Sequence, residues 1–433
     1  MQHKIVLATM GSLGDLHPFI ALGCALRDRG ANVMLACATE YRSKVQAAGL
    51  HFHALRPSFA EVERSLGMGR PELTQRAIEH AEFLFREVVL PYVRMAYEDM
   101  LEVTAGADLV LTSSLAFGAR LAAEKCAVPW IAVVLQPMMF LSAYDPPLIP
   151  KAEALSALLW RLGPSATRSA LWVLKKVVAG IFRPLDSLRA ELGLPRATKD
   201  PLFDGQFSTW GAIGLYSRLL GEVQPDYPQP SCIVGFATFD SEDGLAKGLD
   251  PELDGFLSAG EAPLVFTLGS LIINSPGSFY RESLAAARAL RRRAVLLVGD
   301  AASADLAKFK SKEVFVCSYA PHSLLMPRAA AVVHHGGIGT LAQALRSGRP
   351  QLIVPYFADQ PDNASRAMRL GVARSVSPRR YCAASASREL ARLLGDDAYL
   401  ARARQVADSL AAEDGAAGAA RIVLDRLEQL RGK

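Results

Sequence analysis

Cysteine is scarce in this chain. There are six in 433 residues, at positions 24, 37, 126, 232, 317 and 382, and none forms a C-x-x-C pair. That scatter excludes a disulfide scaffold and a thiolate zinc site, and it fits free thiols in a reducing compartment. An excess of one charge is also missing: 48 Lys and Arg face 43 Asp and Glu, a net +5. The two signs are interleaved, so no nucleic-acid footprint stands out. No apolar run reaches the ~20 residues of a membrane-spanning helix. Short-period repeats and low-complexity tracts are lacking too. The opening residues run straight into a strand pattern, so no signal peptide is expected and the reading is cytoplasmic.

What remains is an ordinary globular composition, 51% hydrophobic and 21% charged. At ~100–200 residues per domain, the length fits two domains. Apolar runs and helical patterns alternate from the start. "KIVLAT", "NVMLACA", "ADLVLTSS" (107–114) and "PWIAVVLQP" (129–137) read as strands. A helix is expected from about Pro18 to Arg29, another near 41–48 and a third over 116–125. Strands this continuously apolar are covered on both faces, which means a parallel sheet between helices. The pattern lapses between 221 and 263, in segments rich in Pro, Gly and Asp, and then restarts. "PLVFTLGS" (263–270), "AVLLVGD" (294–300), "EVFVCSYAP" (313–321), "AAAVVHHGG" (329–337) and "PQLIVPYF" (350–357) are the later strands, with helices over 278–291 and 340–347. The fold class is therefore α/β, with two doubly wound, Rossmann-like units. Their expected bounds are 1–235 and 236–414, with a final helix over about 415–433 packing back on the first unit. Residues 151–192 differ. They read as one or two amphipathic helices studded with Arg and Lys, either packed on the first domain or forming a lipophilic wall or membrane-surface contact.

Two glycine-rich turns stand where a strand meets a helix. The second, "HHGGIGT", carries His334, His335, Gly336, Gly337, Gly339 and Thr340 and no acid. A helix N-terminus with free N–H groups and close backbone approach is an anion site, and this one suits a diphosphate. A metal held by the adjacent histidines is disfavoured, because neighbours in a strand point to opposite sides. Past the next strand comes "ADQPDNA", where Asp359 and Gln360 form a clamp suited to vicinal hydroxyls, with Asn363 close by. The first turn, "GSLGD", ends on Asp15, whose charge would repel a phosphate.

"HHGGIGT" ahead of "ADQPDNA", with "GSLGDLHPF" near the start, resembles the inverting GT-B glycosyltransferases of family 1 and its neighbours. The bacterial branch containing rhamnolipid rhamnosyltransferases, antibiotic glycosyltransferases and sterol glucosyltransferases is the nearest in pattern. The resemblance implies two Rossmann-like domains facing across a cleft and a nucleotide-diphosphate sugar bound mainly by the second. It further implies diphosphate contacts from His335, Gly336, Gly337, Gly339, Thr340 and Ser270, and sugar contacts from Asp359 and Gln360. Tyr319 and His322 of "YAPH" fall beside the base. Gln343 stands where plant members carry a ribose-binding glutamate, which leaves UDP against dTDP open.

Transfer needs a base on the acceptor and charge stabilisation on the leaving diphosphate. Asp15 suits the base, kept ionised by the helix dipole, with His17 as a second group. A plain helix cap is the competing role for Asp15. No Asp-x-Asp pair occurs, so no metal or other cofactor is expected. Gln136, Met138 and Phe140 follow a strand end and are the acceptor-side candidates, in competition with a core role. The implied activity moves a hexose of the UDP-glucose or dTDP-rhamnose type to a hydrophobic acceptor (phenolic, lipid or polyketide), with an O- or C-linkage. An epimerase of the same fold and a non-catalytic activator of another transferase are the alternatives. A dinucleotide oxidoreductase is disfavoured because the first turn has only G-x-x-G.

Overall fold

The computed structural model describes residues 2–149, 152–240, 248–299 and 306–431. Parts of the expected linker (241–247), of the strand ending at 300 and of the last helix (432–433) lie outside the described residues, as do 150 and 151 at the start of the basic helical segment.

Two wholly parallel sheets carry the molecule. The first contains β1 (Lys4–Ala8), β2 (Asn32–Cys37), β3 (His51–Ala54), β4 (Leu109–Thr112), β5 (Trp130–Val134), β6 (Ala212–Gly214) and β7 (Ser231–Ile233), in the order β3-β2-β1-β4-β5-β6-β7. The second contains β8 (Leu264–Thr267), β9 (Ala294–Leu297), β10 (Val314–Cys317), β11 (Ala331–His334), β12 (Gln351–Ile353) and β13 (Ala373–Ser375), in the order β10-β9-β8-β11-β12-β13. Central strands such as LVLT and AVVH are buried along their whole length because helices cover both faces. Strand order reverses at β1/β4 in one sheet and β8/β11 in the other. Ligands of open α/β sheets bind at such switch points, beyond the carboxyl ends. "GSLGD" follows β1, "GS" at 269–270 follows β8, and "HHGG" straddles the end of β11.

Local sequence moves several boundaries. The first helix begins at Leu13 rather than Pro18. Ser12 caps it, and Ser12 with Asp15 forms a reciprocal capping box that nucleates the turn ahead of the proline. The basic segment folds as three helices, Glu153–Leu162, Pro164–Ala179 and Arg183–Glu191, rather than one or two. Gly163 at φ 84 with Pro164 makes one break, and Pro184 stands at the start of the third helix. Residues 59–104, whose periodicity is weak, hold helices Phe59–Leu66, Arg70–Glu79 and Val93–Thr104.

The final helix, Gly415–Arg431, lies on the first domain. Its Ala419, Ala420, Val423 and Leu427 share one core with Leu16, Phe19 and Ile20 of the helix Leu13–Arg27. The two chain passages between domains run side by side. Gly415 N–H donates to the Phe236 carbonyl at 3.3 Å, and the Ser217 hydroxyl donates to Glu413 at 2.7 Å.

Candidate active site

The two glycine turns meet face to face. Leu13 N–H donates to Ser270 Oγ at 3.3 Å, and a Cβ added at Gly339 would lie 3.5 Å from Gly14 Cα. The cleft therefore brings together Asp15, Ser270 and Gly339, and Asp359 lies close enough to feel the charge of Asp15.

Asp15 occupies the third position of its helix. Its Oδ2 accepts from Ser12 N–H at 2.8 Å and Ser12 Oγ at 3.3 Å. Both Ser12 bonds fall on Oδ2, so that oxygen holds the side chain. Burial pushes the carboxyl up to about 6, against the lowering effect of the Ser12 bonds. The carboxyl is thus a stronger base than an ordinary one and still ionised at neutral pH, because desolvation outweighs the hydrogen bonds that hold it. His17 does not fit the expected second base. Its Nε2 lies 3.2 Å from Lys44 Nζ and its ring stands edge-on to Phe239 at 5.5 Å. Burial and then the Lys44 ammonium push it down to about 3. A histidine that takes up a proton only at such acidity is not a base at neutral pH.

The opposing cradle is built around His335. Gly269 N–H donates to its Nδ1 at 3.0 Å, and burial pushes the ring down to about 3. The neutral imidazole must therefore carry its proton on Nε2, which becomes a fixed donor. A Cβ at Gly337 would lie 2.3 Å from that nitrogen, so only glycine leaves it open. Gly336 needs its glycine twice over, for φ 87 and because a Cβ would lie 2.7 Å from Ile353. Gly337 caps the helix Ile338–Arg346, whose first ladder bond runs from Leu341 N–H to the Gly337 carbonyl at 2.9 Å. The N–H groups of Ile338, Gly339 and Thr340 precede that ladder and face outward as donors. Thr340 is buried, and Gln343 sits half-buried about one turn further on. His334 has a different task. It accepts from Gly336 N–H at 3.1 Å and bonds Gln351 at 3.0 Å, shaping the loop from beneath.

Asp359 and Gln360 start the helix Gln360–Arg369. Asn363 donates to Asp359 Oδ2 at 2.6 Å and to the Gly336 carbonyl at 3.0 Å, tying the start of this helix to the glycine cradle. Gln360 Oε1 accepts from Tyr356 N–H at 2.8 Å, which leaves its amide NH₂ as the free end. Burial, and then the like charge of Asp15, push Asp359 up to about 7 despite the Asn363 bond. Tyr319 OH donates to Asp240 at 3.3 Å, and Asp240 also accepts from Ser323 N–H at 2.6 Å. The connecting segment thus borders the Tyr319 and His322 corner, where burial lowers His322. Among the described residues no group of three or more His, Cys, Asp or Glu is placed to hold a metal.

On the acceptor side, Gln136 and Met138 are half-buried past the end of β5. Phe140 is not available to a ligand. It is 5% exposed and stacks on Tyr227 at 3.9 Å and Phe207 at 5.6 Å. Sequence reasoning missed Ser12, Gly269, Lys44 and Asp240. Only Ser12 had a readable signal, the S-x-x-D of a capping box.

Comparison with known proteins agrees with this fold. Residues 5–144 match the glycosyltransferase family 28 N-terminal domain, and residues 281–425 match the C-terminal domain of erythromycin biosynthesis protein CIII-like proteins. The O-mycaminosyltylonolide 6-deoxyallosyltransferase of Streptomyces fradiae is 31% identical, over 97% of this chain and 96% of its own. The chain is a GT-B glycosyltransferase of family 1. This transferase is also 29% identical to the vancomycin aglycone glucosyltransferase of Amycolatopsis orientalis, over 98% of each chain. Its fold matches the solved glycotransferase of kitacinnamycin with a TM-score of 0.70 at 21% identity, over 99% of this chain and 100% of that one. No helix among the described residues of the transferase is long and apolar enough to cross a membrane.

Proposed function

We propose that this glycosyltransferase moves a hexose, with inversion and without a metal ion, from a nucleotide-diphosphate sugar to a hydrophobic small-molecule acceptor. The observation that carries the reading is the opposition of Asp15 to the His335 cradle across the closed cleft. Asp15 Oδ1 takes the proton of the attacking acceptor atom as that atom bonds to the anomeric carbon. The bond to the diphosphate breaks on the far side of that carbon, which inverts its configuration. The leaving charge meets His335 Nε2–H, the early N–H groups of the helix Ile338–Arg346 and Ser270 Oγ. These donors are neutral and preorganised, and they supply the stabilisation a metal would otherwise give. Asp359 and the Gln360 amide hold sugar hydroxyls. Tyr319, His322 and Gln343 receive the nucleoside of a UDP or dTDP donor. The acceptor enters beside Gln136 and Met138. The names of the relatives, which act on a tylonolide and on the vancomycin aglycone, support a natural-product acceptor, O- or C-linked.

Asp15→Asn tests the reading. Donor binding, followed by thermal shift with UDP and dTDP ligands, is expected to persist. Turnover is expected to fall by ~10²–10⁴-fold, the usual worth of a general base. Near-normal turnover would remove Asp15 from the mechanism. Metal independence has its own check: excess chelator leaves the initial rate unchanged, and a rate restored only by added divalent ion would contradict the proposal.

A further inference from the structure

The helical segment between β5 and β6 has an outer surface to which the site described above assigns no role. From 154 to 185 the sequence holds five cations, Arg161, Arg168, Lys175, Lys176 and Arg183, and no acid; Lys175 is paired with Asp204 at 2.7 Å and the other four face no carboxylate at ion-pair distance among the described residues. The whole chain has a net charge of only +5, so this stretch is locally extreme. The inner faces of the helices are anchored: Ser156 and Leu159 on one, Thr167 and Leu171 on the next, are buried. Thr167 Oγ1 ties the two together, donating to the Leu159 carbonyl at 3.2 Å and the Gly163 carbonyl at 3.0 Å.

The outer faces are apolar and open. Leu155, Leu158 and Leu162 form one stripe at helical spacing, and Trp172, Val173 and Val177 form another. Leu162 is 59%, Trp172 61% and Val177 69% exposed. Large exposed apolar side chains concentrated in one place mark an interaction surface. Basic groups edge the patch. Lys176 Nζ lies 5.6 Å over the Trp172 ring, and Arg161 is exposed beside Leu162. Trp160 is 48% exposed as well, and its ring is held in place: Nε1 donates to the Pro146 carbonyl at 3.0 Å and Arg369 lies 5.2 Å over the ring.

We infer that these two helices dock the enzyme on an anionic lipid surface. The occupant follows from charge. A second copy would set this basic patch against itself in a two-fold contact, cation facing cation. Anionic headgroups complement the cations, the leucines and valines enter the acyl boundary, and Trp172 suits the interface between them. The helices lie in the plane of the surface and do not span it, since neither is long or apolar enough to cross.

Flotation of the full-length protein with phosphatidylglycerol–phosphatidylcholine vesicles tests this, with pure phosphatidylcholine vesicles as the comparison. The wild type is expected to float with the anionic vesicles, less so at high salt, and to stay behind with the neutral ones. Arg161→Gln and Lys176→Gln should each weaken partitioning roughly fivefold, the effect of one cation near a charged surface. The double variant Trp172→Ser, Val177→Ser should lose binding while its thermal midpoint stays put, because both side chains are solvent-facing. Wild type that ignores anionic vesicles overturns the inference. So does equal binding to both vesicle types, or wild-type binding by the double variant. A dimer in sedimentation that the double variant splits would assign the patch to self-association instead. None of these readouts involves sugar transfer, so they stand apart from the assignment of Asp15.

Discussion

Asp15 is placed by its neighbour Ser12, and its titration is set by how little water reaches it. A carboxyl held at about 6 accepts a proton more readily than an ordinary one and is still ionised at neutral pH. Turnover should therefore fall as pH drops through about 6, with an acid limb there from Asp15 and no share from His17, which stays neutral down to about 3. A pH–rate profile checks this, and His17→Gln should leave the limb where it is. Asp359 carries a stability signature as well. Its carboxyl sits at about 7 against an ordinary 3.8, so the folded state holds this proton more tightly than the unfolded chain. The group costs nothing below its unfolded value and destabilises progressively as pH rises to 7. Asp359→Asn is thus expected to raise stability at about pH 8 by roughly 1–2 kcal/mol and not at about pH 4. Denaturant titrations at the two pH values decide it. The residue types of the site were legible because glycine, histidine and acid stood in motif order. Their electrostatics were not, since burial belongs to the folded surroundings. Nor could Phe140 be assigned, because Tyr227 and Phe207, which stack on it, lie far along the chain.

Elements carry the coupling between domains. The helix Gln360–Arg369 presents Asp359 and Gln360 at one end and grips the first domain a turn later. Buried Arg366 bonds Asp362 at 2.7 Å, and across the boundary it bonds Asp145 and the Leu220 carbonyl, each at 2.6 Å. Asp362 in turn accepts from Leu148 N–H at 2.9 Å. Arg366→Met would leave two acids without their cation and should cost about 3–5 kcal/mol. Arg328→Met, which removes the partner of half-exposed Asp254, should cost under about 1 kcal/mol. Equal losses in thermal unfolding would show that burial does not govern the Arg366 pair. The central strands and the helices around them were legible in place and type, because their apolar runs are long and their turns carry glycine, but the expected strands overran their ends: 107–114 holds Leu109–Thr112 and 350–357 holds Gln351–Ile353. The sequence did not resolve residues 59–104, where short amphipathic helices leave weak periodic signals.

For the whole molecule, the two-sheet plan was readable from the restart of alternation after residue 263. The pairing of the last helix with the first domain rests on contacts between residues some four hundred positions apart, and no local pattern encodes those. Ala419, Ala420, Val423 and Leu427 cover the same core as Leu16 and Phe19, on the helix that bears Asp15. The second domain is thus an insertion between two parts of the first. This fixes an order of assembly during synthesis. The ribosome releases β1 to β7 long before Gly415–Arg431 emerges, so the first domain waits, with its Asp15 helix uncovered, while the second is made and folds. Only when Gly415–Arg431 leaves the exit tunnel does the Asp15 helix gain its cover, and until then the second domain faces an unfinished partner.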